Sequence, residues 1–263
     1  MDLTREEVLK LSPEEQYQYF RLQIESRFIE ANRKGKPTEV LSPSGKYRLV
    51  TSIYSTEPGK WEYTRGQVYS GDTLIADVKR NYSSFWHAWV EDHPNGHSYF
   101  LCGENYQGHT IIELDTKKRI DSRPREGMQR EFTSEHGFCW AFVEPSPDKL
   151  TLALEGCFWA APYETLLLDF SEPMKLPYPE YPIVGNWPEA ESFDTWVTEG
   201  KILIKSVVEI RKSDGKALRD LSYEEQEEAE ISKDTDEKTV NTLWDSKTRT
   251  GTLQPTTFER KGL

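Results

Sequence analysis

The feature of this sequence that most constrains its fold is a motif that returns at an interval of about 53 residues. The stretch FWHAWVEDHPNG begins at Phe85, and FCWAFVEPSPDK begins at Phe138. A shortened copy, FDTWVTEGK, begins at Phe193, and a short copy, VLSPSGK, begins at Val40. A regular interval of this size indicates one supersecondary unit that is used several times and stacks on its neighbours. The sequence therefore predicts a repeat architecture.

The copies align at two positions. The aromatic register consists of Trp89, Phe142 and Trp196, and the proline register consists of Pro43, Pro94 and Pro147. We expect each register to occupy the same environment in every copy, because repeated units bury equivalent faces against one another.

Short runs of aromatic and β-branched residues, separated by turn residues, follow Val40 and predict strands. In the second copy these are 85–91, 97–106, 109–115 and 118–122, and in the third copy 138–144, 150–159, 165–170 and 174–176. In the last copy they are 202–211, 217–221, 239–245 and 250–259. We expect the third strand of a copy to end in an aspartate that caps the next turn, at Asp77, Asp115 and Asp169.

The first 36 residues predict a helical arm. Thr4 with Glu7, and Ser12 with Glu15, each match a capping box at the start of a helix. An apolar stripe at helical spacing then follows, at Tyr17, Phe20, Ile24 and Phe28. We expect this stripe to pack on the β domain.

The turns and strand ends resemble the blades of β-propeller proteins of the WD-repeat and Tol-type families. The residues that carry the resemblance are SPSGK at 42–46, HPNGH at 93–97, PSPDK at 145–149 and VNTLWDSKTRTG at 240–251. It implies a mainly β chain that forms a small four-bladed propeller-like domain with an N-terminal helical arm. A large β-sandwich is the alternative. The expected arm covers 1–36, and the repeats cover 37–84, 85–137, 138–192 and 193–263, the last with an acidic insertion at 222–238.

Composition and charge limit the partners of the chain. Its net charge is −12, with nine acidic residues and one lysine between Glu155 and Glu199. Eight acidic residues and two lysines lie between Ser222 and Lys238. A chain this acidic, without a basic stripe, does not predict nucleic-acid binding. No apolar run reaches the length of a membrane span, and three cysteines without metal-ligand spacing favour a reducing cytoplasm.

The leading functional prediction is a non-catalytic scaffold that binds a protein or peptide through loops on one propeller face, and the acidic charge makes a basic partner one option. The proline-rich and aromatic stretch YPEYPIVGNW, from Tyr178 to Trp187, is the main candidate loop, because exposed Tyr and Trp carry much of the energy of interfaces. The candidate binding residues are Trp86, Trp89, Trp140, Trp159, Tyr178, Tyr181 and Trp187. The sequence does not determine the oligomeric state.

The alternative prediction is a small-molecule hydrolase or isomerase with a carboxylate-lined central pocket. Glu104 and Glu155 occupy similar places in two copies and would serve as acid and base, with His87 nearby. Trp89 and Trp140 would then shape the pocket. A sugar-binding module that uses stacked tryptophans is a third possibility. His93 and His97 flank a turn and lack further ligands, so we expect no metal site and no cofactor.

Overall fold

The computed structural model describes residues 3–57, 59–104, 108–122, 138–158, 163–183, 192–193, 196 and 200–254. The described strands form four antiparallel sheets, each of four strands that lie side by side in chain order. The chain is therefore mainly β, as expected, and it repeats a four-stranded unit. Four separate sheets do not correspond to the two layers of a β-sandwich.

The elements have the following bounds. The α-helices are α1 (Arg5–Leu9), α2 (Pro13–Glu25) and α3 (Tyr223–Ile231), with 3₁₀ turns at Glu30–Asn32 and Leu218–Asp220. Sheet 1 contains β1 (Arg33–Leu41), β2 (Tyr47–Tyr54), β3 (Tyr63–Ser70) and β4 (Thr73–Arg80). Sheet 2 contains β5 (His87–Val90), β6 (Tyr99–Cys102), β7 (His109–Glu113) and β8 (Arg119–Ser122). Sheet 3 contains β9 (Phe138–Pro145), β10 (Thr151–Phe158), β11 (Glu164–Asp169) and β12 (Glu180–Tyr181). Sheet 4 contains β13 (Ser192–Phe193), β14 (Lys201–Arg211), β15 (Thr235–Asp245) and β16 (Thr250–Gln254).

The N-terminal helices begin where the sequence predicts. Thr4 and Ser12 form complete capping boxes, which supply acceptors for backbone amides that a helix start leaves unpaired. Phe28 is buried and packs edge-on against Tyr54 and Tyr63 of sheet 1. β1 begins at Arg33, inside the segment assigned to the arm. The side chains expected at Tyr17 and Phe20 lie outside the described part of the chain.

Each sheet packs a face against the next sheet along the chain. Alternation along β6 sends Phe100 towards sheet 1 and Leu101 towards sheet 3, because successive side chains of a strand point to opposite faces. Buried apolar residues fill each of the three interfaces. Between sheets 1 and 2 they include Val68, Val78, Phe100 and Ile112. Between sheets 2 and 3 they include Leu101, Ile111, Leu152 and Leu154, and between sheets 3 and 4 they include Ala153, Leu167, Ile202 and Trp244.

The proline register marks equivalent turns. The residue before each proline, Ser42, His93 or Ser146, is buried and donates its backbone N–H across the turn. Ser42 bonds to the carbonyl of Tyr47 and Ser146 to that of Thr151, which makes the turns of sheets 1 and 3 alike. The His93 turn is one residue shorter and closes on the carbonyl of His97.

The expectation for the aromatic register is wrong. Trp89 stacks on Tyr47 of sheet 1, at a centroid separation of 6.1 Å. Phe142 is half exposed and contacts Phe193 of sheet 4. Trp196 lies outside the strands and packs edge-on against Trp244. A bulge opposite Glu155–Gly156 in the β9–β10 pairing, together with the different turn lengths, shifts the faces between copies.

Two further strand predictions are corrected. Asp77 lies within the fourth strand of sheet 1 and pairs with Arg65. Asp115 lies two residues beyond β7 and accepts from the backbone N–H of Ser98, just before β6, so it does not cap the next turn. Asp169 ends β11 and caps the next turn as expected, by accepting from the backbone N–H of Ser171. The outer strand of sheet 3 is β12, and residues 174–176 form a turn.

The last copy also differs from the prediction. The segment 217–221 makes a single bridge, between Ala217 and Ile210, and then a 3₁₀ turn. The acidic insertion 222–238 forms α3, which Ser222 and Glu225 cap, and the first residues of β15. The hairpin of β14 and β15 is therefore longer than predicted, because β15 begins at Thr235.

Neighbouring strands run in opposite directions, so one strand finishes and the next begins at the same end of a sheet. At the end that we call the turn end, the first strand of each sheet (β1, β5, β9 and β13) finishes and the second strand (β2, β6, β10 and β14) begins. At the end that we call the loop end, the first strand of each sheet begins and the second strand finishes. Hydrogen bonds join turn end to turn end, and loop end to loop end, between neighbouring sheets.

Candidate functional site

Polar side chains at the turn end join one sheet to the next. Glu91 accepts hydrogen bonds from the Ser42 hydroxyl and the Ser44 backbone N–H of sheet 1, each at 2.9 Å. A ring nitrogen of His93 lies 3.0 Å from the Phe170 carbonyl oxygen of sheet 3. Burial raises the pKa of Glu91, but the hydrogen bonds from Ser44 and Ser42 lower it overall. These groups stabilise the stack of sheets.

Buried charges lie together at the loop end. Arg119 of β8 contacts Glu104, just beyond β6, at 2.7 Å, and Asp121 at 2.8 Å. Arg21 of α2 approaches the other Glu104 oxygen at 3.7 Å. Burial lowers the pKa of Arg119, but the charges of Asp121 and Glu104 raise it overall, so the guanidinium stays charged. Arg80 donates to the Gly103 carbonyl at 2.9 Å.

The interface between sheets 2 and 3 holds a buried histidine among aromatic rings. The His109 ring stacks on Trp140, with centroids 4.0 Å apart and planes 18° apart, and Trp140 also contacts Trp86. Burial lowers the pKa of His109 to about 3, so the imidazole is neutral at physiological pH. Within the part of the chain that the structure describes, His109 Nε2 and both indole nitrogens are buried without a hydrogen-bond partner.

Three aromatic side chains, two of them exposed, lie at the loop end on segments that connect strands. Trp61 is 55% exposed and packs edge-on against Tyr82, at a centroid separation of 5.7 Å. Tyr163 is 56% exposed. Burial, and then the charges of Cys157 and Tyr82, raise the pKa of the Tyr163 hydroxyl, so Tyr82 is close enough to interact with it. We call Trp61, Tyr82 and Tyr163 the aromatic patch.

Sheet 4 carries a groove and an acidic helix at the same end. The groove encloses about 430 Å³, and its apolar lining includes Val208, Ile210, Val240 and Leu253. The helix α3 continues from this region, with Ala229 buried against Leu218 and Leu221. Its exposed surface carries Tyr223 and Ile231 together with Glu224, Glu227, Glu228 and Glu230.

The structure does not bring Glu104 and Glu155 together. Glu104 faces sheet 1 and α2, whereas Glu155 accepts the Phe193 backbone N–H of sheet 4 at 3.1 Å. The carbonyls of Ser98 and Leu150 make equivalent hydrogen bonds just before β6 and β10, which aligns Glu104 with Gly156. Glu155 therefore lies one residue before the position equivalent to Glu104, and an offset of one residue puts a side chain on the opposite face of a strand. The expected acid–base pair is therefore not assembled.

The remaining predicted residues lie in three different places. His87 and Trp89 face sheet 1, and burial lowers the pKa of His87. Trp86 and Trp140 lie between sheets 2 and 3, where Tyr178 is also buried. Trp86 and Trp89, both candidate binding residues, therefore do not share one binding surface.

Tyr181 contacts Trp244 between sheets 3 and 4, at a centroid separation of 5.7 Å. Trp159 and Trp187 lie outside the described residues. Trp61 and Tyr163 were not among the site residues predicted from the sequence. Trp61 and Tyr163 stand alone between strands, and no pattern in the sequence distinguishes them from other aromatic residues.

The described residues include neither a cluster suited to a metal ion nor a helix suited to a membrane span. No group of three or more His, Cys, Asp or Glu side chains among them is arranged to hold a metal ion. None of the helices in the described ranges has the length and apolar character needed to cross a bilayer.

Comparisons with known proteins give one relative by sequence and distant neighbours by structure. No family model matches the chain. The hydrazine synthase of Kuenenia stuttgartiensis is similar at TM-score 0.38 and 12% identity, over 88% of this chain and 68% of that one. Two further neighbours are more distant. The AtxE2 isopeptidase has a TM-score of 0.27 and 11% identity, over 86% of this chain and 30% of that one. The tricorn protease has a TM-score of 0.25 and 13% identity, over 81% of this chain and 26% of that one. These scores carry no argument about function.

The sequence relative is "Uncharacterized protein R762" of Acanthamoeba polyphaga mimivirus. The two chains are 30% identical over 205 residues, which cover 75% of this chain and 78% of the viral one. The chain belongs to the same family as this mimivirus protein.

Proposed function

We propose that this chain is a non-catalytic binding protein whose loop end recognises a basic segment of another protein. The observation that carries the proposal is the aromatic patch, in which Trp61 and Tyr163 are each more than half exposed. Exposed Trp and Tyr side chains provide large, rigid contact areas and dominate the energy of many interfaces. At the turn end, no described Trp, Tyr or Phe is exposed to this extent.

The charge of the protein favours a basic partner. The net charge is −12, Glu62 is exposed next to Trp61, and the exposed glutamates of α3 lie at the same end of their sheet. Arginine and lysine bind well to such a surface, because their charged groups lie over aromatic faces while carboxylates attract them from a distance. A basic segment would therefore gain from both features.

We also propose that the four sheets are the blades of a propeller-like ring. The stacking of each sheet on the next supports this arrangement, as does the contact between β5 and β9, the first strands of their sheets. The long connections of the loop end would then lie on one face of the ring. An elongated particle in small-angle X-ray scattering would contradict the ring.

A defined peptide probe tests the binding proposal. A fluorescent Arg- and Lys-rich peptide is titrated with the protein, and a peptide with glutamate at the basic positions serves as the charge control. We expect only the basic peptide to bind, and more weakly as salt concentration rises. Replacing Trp61 and Tyr163 together by alanine should weaken binding by at least about tenfold, because two exposed anchors are lost.

The matched control is Leu41→Ala, which removes an exposed apolar side chain of β1, away from the aromatic patch. It should leave the affinity unchanged. Equal loss of affinity in both variants, or equal binding of the acidic peptide, would refute the proposal.

A further inference from the structure

Two cysteines of sheet 3 face each other at the loop end. Cys139 near the start of β9 and Cys157 near the end of β10 are direct partners in the antiparallel pairing, and both are buried. Directly opposite Cα atoms in such a pair lie roughly 4.5–5.5 Å apart, within the roughly 4.4–6.8 Å that a disulfide spans. The backbone therefore already holds the two residues at bonding distance.

The side chains of this pair also meet. Burial raises the pKa of the Cys157 thiol, and a hydrogen bond with the Cys139 thiol partly offsets the increase. The two thiols therefore lie close enough to interact in the reduced protein, in which all three cysteines are free.

We propose that Cys139 and Cys157 are a redox-modification site that closes to a disulfide when a low-molecular-weight disulfide is the oxidant. The thiolate of one cysteine attacks a sulfur of the reagent, and one reagent thiol leaves. The thiolate of the second cysteine then attacks the protein sulfur of the mixed disulfide, and the second reagent thiol leaves. The protein loses two hydrogens, and the reagent is reduced to two thiols.

Cys102 provides a control within the same chain. It lies on β6, faces sheet 1 beside Phe100 and Ile112, and is fully buried. Burial raises the pKa of its thiol to about 12, so it has almost no thiolate at neutral pH. It faces away from sheet 3 and should remain reduced.

The site lies next to the aromatic patch. Gly156 pairs with Glu164, so their chain neighbours Cys157 and Tyr163 lie close together at this end of sheet 3. A disulfide here would fix the ends of β9 and β10 where the connection to Tyr163 leaves the sheet. The inference depends only on the cysteine geometry and holds whether or not the patch binds a basic partner.

Oxidised glutathione and intact-mass spectrometry test the inference. The folded protein is incubated with the reagent, unfolded, alkylated and weighed. We expect the loss of two hydrogens, one alkyl group on Cys102 and full reversal by dithiothreitol. Cys102→Ala should lose the same two hydrogens. Cys139→Ala and Cys157→Ala should not, and should carry at most one glutathione on the remaining partner.

Serine replacements at 139 and 157 repeat the test if an alanine variant does not fold. The inference is overturned if the native protein takes three alkyl groups after exposure to the reagent. It is also overturned if Cys139→Ala or Cys157→Ala still loses two hydrogens, because the bond would then involve Cys102.

Discussion

At the turn end, the carboxylate of Glu91 accepts hydrogen bonds from serines of the neighbouring sheet, whereas at the loop end the carboxylate of Glu104 lies buried between Arg119 and Arg21. Both carboxylates connect parts of the stack, but in different surroundings. Removing one member of a buried ion pair costs far more than removing a partly exposed contact, because the other charge stays buried. The loop end should therefore dominate the response of the protein to mutation and to pH.

The largest expected difference comes from removing one cation at each end. Arg119→Met leaves Glu104 and Asp121 without their main counter-charge and should lower the free energy of unfolding by about 3–5 kcal/mol. Lys46→Met at the turn end removes a contact of 3.7 Å with Asp115 that is open to water, and should cost less than about 1 kcal/mol. Urea unfolding at neutral pH measures both.

The two methionine variants keep a long apolar side chain, so packing changes little in either. Equal losses would show that the loop-end charges are not buried in solution. A protein more stable with Arg119→Met would contradict the comparison outright.

The sequence was most informative where short-range chemistry decides the structure. The capping boxes at Thr4 and Ser12, and the turns that begin at Ser42 and Ser146, form as expected because their hydrogen bonds join residues close in the chain. Local rules of this kind do not depend on the register between sheets. They therefore predicted the repeated four-stranded unit correctly.

The candidate site depends on register and on distant contacts, and here the sequence was much less informative. The bulge at Glu155–Gly156 and the one-residue offset of Glu104 turn side chains to different faces. The stacking of His109 on Trp140 joins two sheets, and nothing near either residue in the sequence indicates it. The sequence near Trp61 does not indicate its exposure either, because exposure also depends on contacts between distant parts of the chain.

The next largest effect is a loss of stability in acid that originates at His109. Its pKa is about 3 in the folded protein, and about 6.5 is usual for an unfolded chain. The unfolded state therefore binds a proton that the folded state does not. Titration of His109 therefore leaves the free energy of unfolding unchanged above about pH 6.5. Below that pH it lowers the free energy of unfolding by up to about 1.4 kcal/mol per pH unit, until the folded pKa is reached.

His109→Phe isolates this effect, because phenylalanine keeps a ring beside Trp140 and does not titrate. We compare urea midpoints of the native protein and this variant at pH 7.5, 6 and 5. The native protein should lose more stability than the variant at each step towards acid. Titrating groups common to both proteins, such as His87, cancel in the difference. Parallel curves would show that His109 is hydrated.

The smallest effect belongs to the turn end and occupies a different pH range. The folded pKa of Glu91 is lowered, so its contribution is present above the unfolded value of about 4.3 and is lost as pH falls through the folded value. Because Glu91 is partly exposed and its hydrogen-bond partners are uncharged, Glu91→Gln should cost less than about 1 kcal/mol at neutral pH. The difference should vanish in acid below the lowered folded pKa, where the native side chain is itself protonated, whereas the His109 effect begins above pH 5. Urea unfolding of this variant in the acid range of Glu91 and above pH 5 distinguishes the two ends of the sheets. A Glu91 effect that persists in strong acid would show that packing, not charge, joins sheets 1 and 2 at the turn end.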